Sequence, residues 1–360
     1  MGQEIARVAV GTGGGGLDIV ELPLPEIGKD DGLLLVETNG VCGSDWELLH
    51  GEVEGYEMPM VLGHEPTGRI LKVGPVAAQR WGITEGDRVA VSSQLRCGTC
   101  EGCRGGGRCV TYPGTYGTMP ARVLPGLWGG FATHMYLAPA TSLVRVEESV
   151  STEALAFHNP LANGFQWAVE AGGASPDTDV LILGSGPRGI ACAMAALYVG
   201  ARSVTITGLA HDQSRLDLAQ ALGVHRTVVV KTAEPDELRD AVGSHQVVID
   251  TTPVSGIATR QGIAAATTGA RIVLCGLKGK GVKLDVDIDD LVYRRLTITA
   301  PPSKTPASFR RAVEALNSGR ISLGPMVTAS YPLARALDAI GTLTSKDPDR
   351  AFHVRVDPQT

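Results

Sequence analysis

The 360-residue sequence is poor in aromatic side chains, 4% with four tryptophans, and poor in long apolar runs. Its most apolar stretch, residues 179–201, opens on an acid and carries Arg188 and several glycines, so it reads as a buried strand and helix, not a bilayer span. A basic stripe is missing too. Acids and bases are interspersed and the formal charge is -6, which leaves nothing to neutralise a nucleic-acid backbone or to dock on an anionic membrane. Neither nucleic acid nor membrane is an expected partner. The N-terminal MGQEIARVAVG lacks the basic region, apolar run and small-residue cleavage site of a secretory leader, so a cytoplasmic protein is expected. In that reducing setting the seven cysteines stay as thiols, and their clustering points to metal ligation before disulfides. Internal repeats, low-complexity tracts and charge blocks are also lacking.

What is present suffices for two domains, since the chain length and 43% apolar content can fill a core in each. The texture changes near Ser151 and near Ala300. Before the first point, short apolar runs at 33–37, 68–73 and 88–91 are punctuated by Gly, Pro and Asp, the mark of an irregular, strand-rich domain. Between the two, candidate strands at 179–183, 203–207, 227–230, 247–250 and 271–275 alternate with helix-like stretches, notably 190–199 and 213–222. That alternation calls for a parallel sheet covered on both faces, a doubly wound domain. The expected division is 1–158 for the first domain, with a lobe at 97–109, then 159–300 for the second. Residues 301–360, helical at 307–318 and extended at 351–356, are expected to return to the first domain and close it.

Two stretches match G-x-G-x-x-G, and context separates them. Gly11, Gly13 and Gly16 precede a segment whose prolines stop a helix before it begins, so they read as a glycine-rich turn. Gly184, Gly186 and Gly189 follow VLIL and open the apolar IACAMAALYV. In that setting the first glycine permits a tight turn, the second lets backbone amides reach a pyrophosphate, and the third lets helix pack on strand. This turn, with Pro187 and Arg188 inside it, is the expected dinucleotide site. Roughly 20 residues beyond such a turn an acid accepts the ribose hydroxyls of NAD, but here the strand end carries Gly208. A 2′-phosphate would meet no fixed repulsion there, with His211 and Arg215 as cationic neighbours. Asp212 in the same loop offers the ribose an alternative, so NAD and NADP both stay open.

Cys97, Cys100, Cys103 and Cys109 are separated by two, two and five residues in a glycine-rich loop. Four thiolates at such spacing can close a tetrahedron around zinc with no position left for a substrate, which makes the lobe structural. Cys42 in GVCGSD and His64 with Glu65 in VLGHEPTG form a second constellation. Thiolate, imidazole and carboxylate are zinc donors, and three of them leave a position open for a substrate oxygen. A lone cysteine or a His-Glu pair means little, so their weight comes from occurring together.

Taken in order, GVCGSD, GHEPTG, GDRVAV, the four-cysteine lobe, GGFATH, NPLANG and GSGPRG resemble the zinc-containing medium-chain dehydrogenase/reductase superfamily. The resemblance covers nearly the whole chain and is nearest to the polyol, threonine and glucose dehydrogenase branch. It implies an α/β plus β architecture, a GroES-like catalytic domain with a doubly wound Rossmann domain, and a homodimer or homotetramer. It further implies that Cys42, His64 and Glu65 hold a catalytic zinc, that Ser44 takes the substrate proton while hydride passes between an alcohol carbon and the nicotinamide, and that Asp45 braces His64 or the neighbouring loop.

Three departures stand against that pattern. Asn159 occupies the place where the branch commonly has Glu before the proline; a neutral amide binds zinc less well, and a role supporting the ligands is favoured. Glu47 replaces a common relay histidine and reads as an exposed helix-end acid. The lobe is two residues shorter between its last cysteines than the commonest form. Trp46, Trp128 and Trp167 sit beside the motifs; if they line the cleft, the substrate is a bulky apolar or aromatic secondary alcohol or ketone in preference to a polyol or sugar. Cys192 and Cys275 read as small buried side chains. The rival readings are a zinc-free reductase, which the intact Cys42, His64 and Glu65 oppose, and a silent dinucleotide-binding protein with structural zinc only, which Asn159 motivates. A zinc-ribbon nucleic-acid module fits the four cysteines but not the acidic balance or the dinucleotide turn.

Overall fold

A computed structural model describes residues 4–344 and 352–360. The chain divides into two compact units, 1–159 with 323–360, and 160–322. The first is built on antiparallel strands. β1 (Ile5–Gly13) and β2 (Gly16–Pro23) form a hairpin whose turn runs through three glycines with positive φ, 89°, 60° and 86° at Gly13, Gly14 and Gly15. The first glycine motif is therefore a hairpin turn, as its following prolines require. β3 (Gly32–Val41) is the spine of a larger sheet, while β4 (Met60–Val61) pairs with β1. β5 (Pro66–Val73) lies on β3, β6 (Arg88–Val91) on β5, β7 (His134–Leu137) on β3 and β8 (Leu143–Arg145) on β6.

The second unit carries β9 (Asp179–Leu183), β10 (Ser203–Gly208), β11 (Arg226–Val229), β12 (His245–Asp250), β13 (Ala266–Leu274) and β14 (Thr297–Thr299), all parallel, in the order β11-β10-β9-β12-β13-β14. Val180, Leu181, Ile182, Val204, Ile206, Val248 and Ile249 are fully buried, because helices on both faces leave a central parallel strand no solvent side. Each such side chain contributes about 1.5–3 kcal/mol on burial. The strand order reverses at β9, and ligands of such sheets bind beyond the carboxyl ends of the strands at that reversal.

Residues 301–322 stay with the second unit. The helix Pro306–Asn317 buries Phe309, Ala312, Val313 and Leu316, the i, i+3, i+4, i+7 stripe of a helix lying on a core. From Leu323 the chain belongs to the first unit. There β15 (Val327–Pro332) and β16 (His353–Asp357) run parallel, and β16 closes on β3 with Val354 opposite Val41. Ala351, the expected first residue of that closing strand, lies outside the described residues. Among the described residues no helix is long and apolar enough to cross a membrane.

Candidate functional site

Cys42 directly follows the spine strand β3 and caps the helix Gly43–Leu49; His64 and Glu65 lie in the short link between β4 and β5. A thiol sulfur, a ring nitrogen and a carboxylate oxygen from these three side chains all come within 4.8 Å of one another. Asp45, fully buried, sets two of them: its Oδ2 accepts the backbone N–H of Cys42 at 2.9 Å and its Oδ1 lies 3.2 Å from Nδ1 of His64. A carboxylate on Nδ1 fixes a proton there and turns Nε2 toward the sulfur and the carboxylate of the other two side chains. That nitrogen is 3.9 Å from Oε1 of Glu65. Burial works against the charged imidazole, but the charge and hydrogen bond of Asp45 outweigh it and hold His64 well above its usual range. At Cys42 burial likewise raises the thiol, yet the hydrogen bond and charge of His64 outweigh it and bring it below its ordinary value.

Glu65 is 1% exposed. Its Oε1 accepts from Nδ2 of Asn159 at 2.9 Å, and its Oε2 lies 3.6 Å from Nε2 of His353. His353 is itself anchored on the carbonyl of Ala156 at 3.0 Å. Gly40 makes the room: a Cβ there would run into the Glu65 carboxylate and the Ala156 carbonyl. Oε2 of Glu65 and Oδ1 of Asn159 are buried with no hydrogen-bond partner among the described residues. A carboxylate buried beside a thiol and an imidazole, with an oxygen left unpartnered, is costly unless a cation joins them, so the sulfur, nitrogen and oxygen donors fit a zinc ion.

In the lobe the four thiol sulfurs of Cys97, Cys100, Cys103 and Cys109 also gather within 4.8 Å of one another. Hydrogen bonds from Thr111 and Thr99 hold Cys97 down at about 5, and the backbone of Cys103 and Val110 holds Cys100 at about 7. Against the backbone of Gly98, burial and the neighbouring thiols push Cys103 up to about 11. Two thiols held below their ordinary value, a closed four-fold grouping and a loop with almost no buried side chains fit a structural zinc.

Ser44 is half-buried in the first turn of the helix that Cys42 caps, and Glu47 on that helix is exposed. Trp46 stacks on His50 with ring centroids 3.7 Å apart and packs against the first unit's core. Trp128 corrects its expected place in a pocket: it is 3% exposed, in contact with the rings of Tyr112, Tyr116 and Tyr136, and its indole N–H donates to the Val123 carbonyl at 2.8 Å. A large aromatic with a satisfied N–H in such a cluster is core packing. Trp167 is likewise buried, donating to Pro302 at 2.9 Å.

In the second unit Gly184 has φ 100° and a Cβ on Gly189 would strike the Gly184 carbonyl. Tight turn and close helix-on-strand packing are thus both glycine-dependent. Gly186 caps the helix Pro187–Tyr198 and Pro187 opens it, so the helix amides face the turn. Beside it lies a cavity of about 760 Å³ at the carboxyl ends of β9, β10 and β12, lined by Gly184, Gly186, Gly208, Asp212, Arg215 and Thr251 among others. Pro187, Arg188 and Gly189 are not in its wall, and Arg188 is exposed. His353, Lys231 and the pair Asp250 and Lys278 escaped the sequence reading, since nothing local links them to the motifs they serve.

The family model of the alcohol dehydrogenase GroES-like domain matches residues 28–148, and that of the zinc-binding dehydrogenase domain matches 187–318. The protein named a probable alcohol dehydrogenase in Mycobacterium tuberculosis H37Rv is 37% identical over 331 residues, 90% of either chain. L-threonine 3-dehydrogenase of Yersinia pseudotuberculosis is 27% identical over 323 residues, 88% of this chain and 90% of its own. Among solved structures, an alcohol dehydrogenase of Thermotoga maritima superposes with a TM-score of 0.84 at 22% identity, over 99% of this chain and all of that one. With both domain families matched in order along one chain, the protein belongs to the zinc-containing medium-chain dehydrogenase/reductase superfamily and is an oxidoreductase of the alcohol dehydrogenase type.

Proposed function

We propose that this protein interconverts a bulky, apolar secondary alcohol and its ketone, and that it accepts NADP at least as well as NAD. The observation that carries the reading is the meeting of Cys42, His64 and Glu65 within 4.8 Å around a buried Asp45. Zinc held by those three side chains would supply electrophilic polarisation of the substrate oxygen, and a second ion in the cysteine lobe would order that loop. The remaining chemistry belongs to the chain. The Ser44 hydroxyl, two residues beyond Cys42, takes the proton that leaves the alcohol. Asn159 holds Glu65 through its Nδ2 and needs no metal contact of its own. The glycine turn and the amides of the helix Pro187–Tyr198 bind the pyrophosphate.

Support for NADP comes from the end of β10. A Cβ at Gly208 would lie 2.7 Å from Oγ of Ser185 and 3.0 Å from Cβ of Asp212, so no acid fits there without displacement. Asp212 turns its Oδ2 to the Leu209 amide at 2.9 Å and its Oδ1 to Arg215 at 3.3 Å. Its carboxylate thus serves its own loop, while Arg215, His211 and Lys231 line the same cavity and favour an added phosphate. For the substrate, Trp46, half-buried on the helix that Cys42 caps, is the one of the three tryptophans beside the motifs that is not fully buried.

Among the described residues β14 ends its sheet with one edge unpaired, and the helix before it in the chain exposes Ile288, Val292 and Tyr293; this supports a homodimer, because a second copy can continue the sheet.

The reading is tested on zinc-loaded protein with a panel of alcohols and ketones and both dinucleotides. Cyclic or aryl secondary alcohols are expected to be turned over with NADP, and Cys42→Ser to lose turnover while dinucleotide binding persists. Efficient use of sorbitol or glucose alone refutes the substrate class; full activity in Cys42→Ser removes the metal from the reaction.

A further inference from the structure

Asp250 ends β12, at the carboxyl edge of the parallel sheet, and is fully buried. Four donors converge on its carboxylate. Oδ1 accepts from the Thr252 amide at 2.9 Å, the Thr252 hydroxyl at 2.6 Å and Nζ of Lys278 at 2.9 Å, and Oδ2 accepts from the Thr259 hydroxyl at 2.5 Å. Lys278 arrives from the loop after β13, and its ammonium also donates to the Thr252 hydroxyl at 2.8 Å and to the Thr252 carbonyl. One ion pair, its carboxylate fully buried and its lysine partly so, therefore joins the loop after β12 to the loop after β13.

The first of those loops, residues 251–255, is a wall of the dinucleotide cavity. It is also strained. Val254 has φ 74°, the left-handed region, which a β-branched residue occupies only when its surroundings hold it there, and it is 72% exposed, so packing does not hold it. The loop is pinned on its other flank as well, by Thr251 donating to the Leu183 carbonyl at 2.9 Å next to the glycine turn.

We propose that Asp250 and Lys278 are positioning residues for the dinucleotide: their ion pair fixes the 251–255 wall in its strained, binding-ready shape. The proposal rests on the reading of the cavity as the NAD(P) site. A preset wall spares the cofactor the ordering of that loop on binding, so the pair acts on affinity through the backbone without touching the ligand.

The test is a fluorescence titration of the zinc-loaded protein with NADP, alongside thermal melts. Lys278→Met is expected to raise the dissociation constant about tenfold and to lower the melting temperature, since it strands a buried carboxylate. The double variant Asp250→Asn with Lys278→Met removes the stranded charge, so its melting temperature recovers; the tie between the loops is still lost, so its affinity stays low. Binding by Lys278→Met within twofold of the parent, or a double variant whose affinity recovers together with its melting temperature, overturns the proposal. Should Lys278→Met fail to fold, Val254→Gly reads the same wall at an exposed position. It is expected to melt no lower than the parent yet to bind NADP several-fold more weakly, and unchanged affinity there overturns the proposal equally. A parent protein that binds neither NADP nor NAD refutes instead the assignment of the cavity.

Discussion

Oδ1 of Asp45 lies 3.2 Å from Nδ1 of His64, and the other oxygen of the same buried carboxylate accepts the Cys42 backbone amide at 2.9 Å. One side chain thus sets the tautomer of one ligand and the main-chain position of another, on segments separated by strand β4. Removing it leaves the imidazole free to rotate and its proton free to move to Nε2.

Asp45→Ala is therefore expected to lower zinc content from two ions per chain toward one, by elemental analysis, and kcat/KM by about 10–100-fold. Two retained ions with parent-like kcat/KM would show that the carboxylate does not orient the ligands.

Arg215→Ala removes a cation from the cavity and its contact with Oδ1 of Asp212, to which it is paired at 3.3 Å. KM for NADP is expected to rise about tenfold while KM for NAD stays within about twofold. Equal changes with both cofactors would place the 2′-phosphate elsewhere.

His245, 3% exposed at the start of β12, is held below its ordinary value of 6.5 mainly by burial, which the nearby Asp179 charge only partly offsets. The unfolded chain binds that proton more readily than the folded one, so the neutral ring's contribution is complete above pH 6.5 and is lost as the pH falls below it toward the folded value. Thermal melts should show the parent losing more stability than His245→Gln between pH 7.5 and pH about 5.5. Parallel losses would assign the acid sensitivity to other groups.

Ile298→Lys, on the edge strand β14, is expected to convert a dimer into a monomer in light scattering, because a charge on a strand edge opposes sheet continuation. A variant of unchanged mass would move the interface to another surface.

Local pattern carried the second unit well. The β-branched runs at 179–183 and 203–207 and the glycines at 184, 186 and 189 announce their structure through neighbours a few residues away, and strand, turn and helix form where they predict. Cys42 and the pair His64 and Glu65 were legible as a candidate donor set from residue type, and the fold brings them within 4.8 Å of one another. Trp128 was misplaced: proximity to GGFA says nothing about which way a ring turns, and tyrosines from other segments claimed it. The link from Asn159 to Glu65 joins residues 94 positions apart, and that from His353 needed β16 to close on β3.

The linear chain alone determined which side chains can act as donors, the glycine turn and the strand–helix alternation, because each is written in residue type and spacing over short separations. Only the folded chain decided that Asp45 serves both His64 and the Cys42 amide, which side chains flank Glu65 and which lysine closes on Asp250. Those choices depend on side chains that the packing of separate strands, helices and loops brings together, and residue type and short-range spacing do not encode such packing.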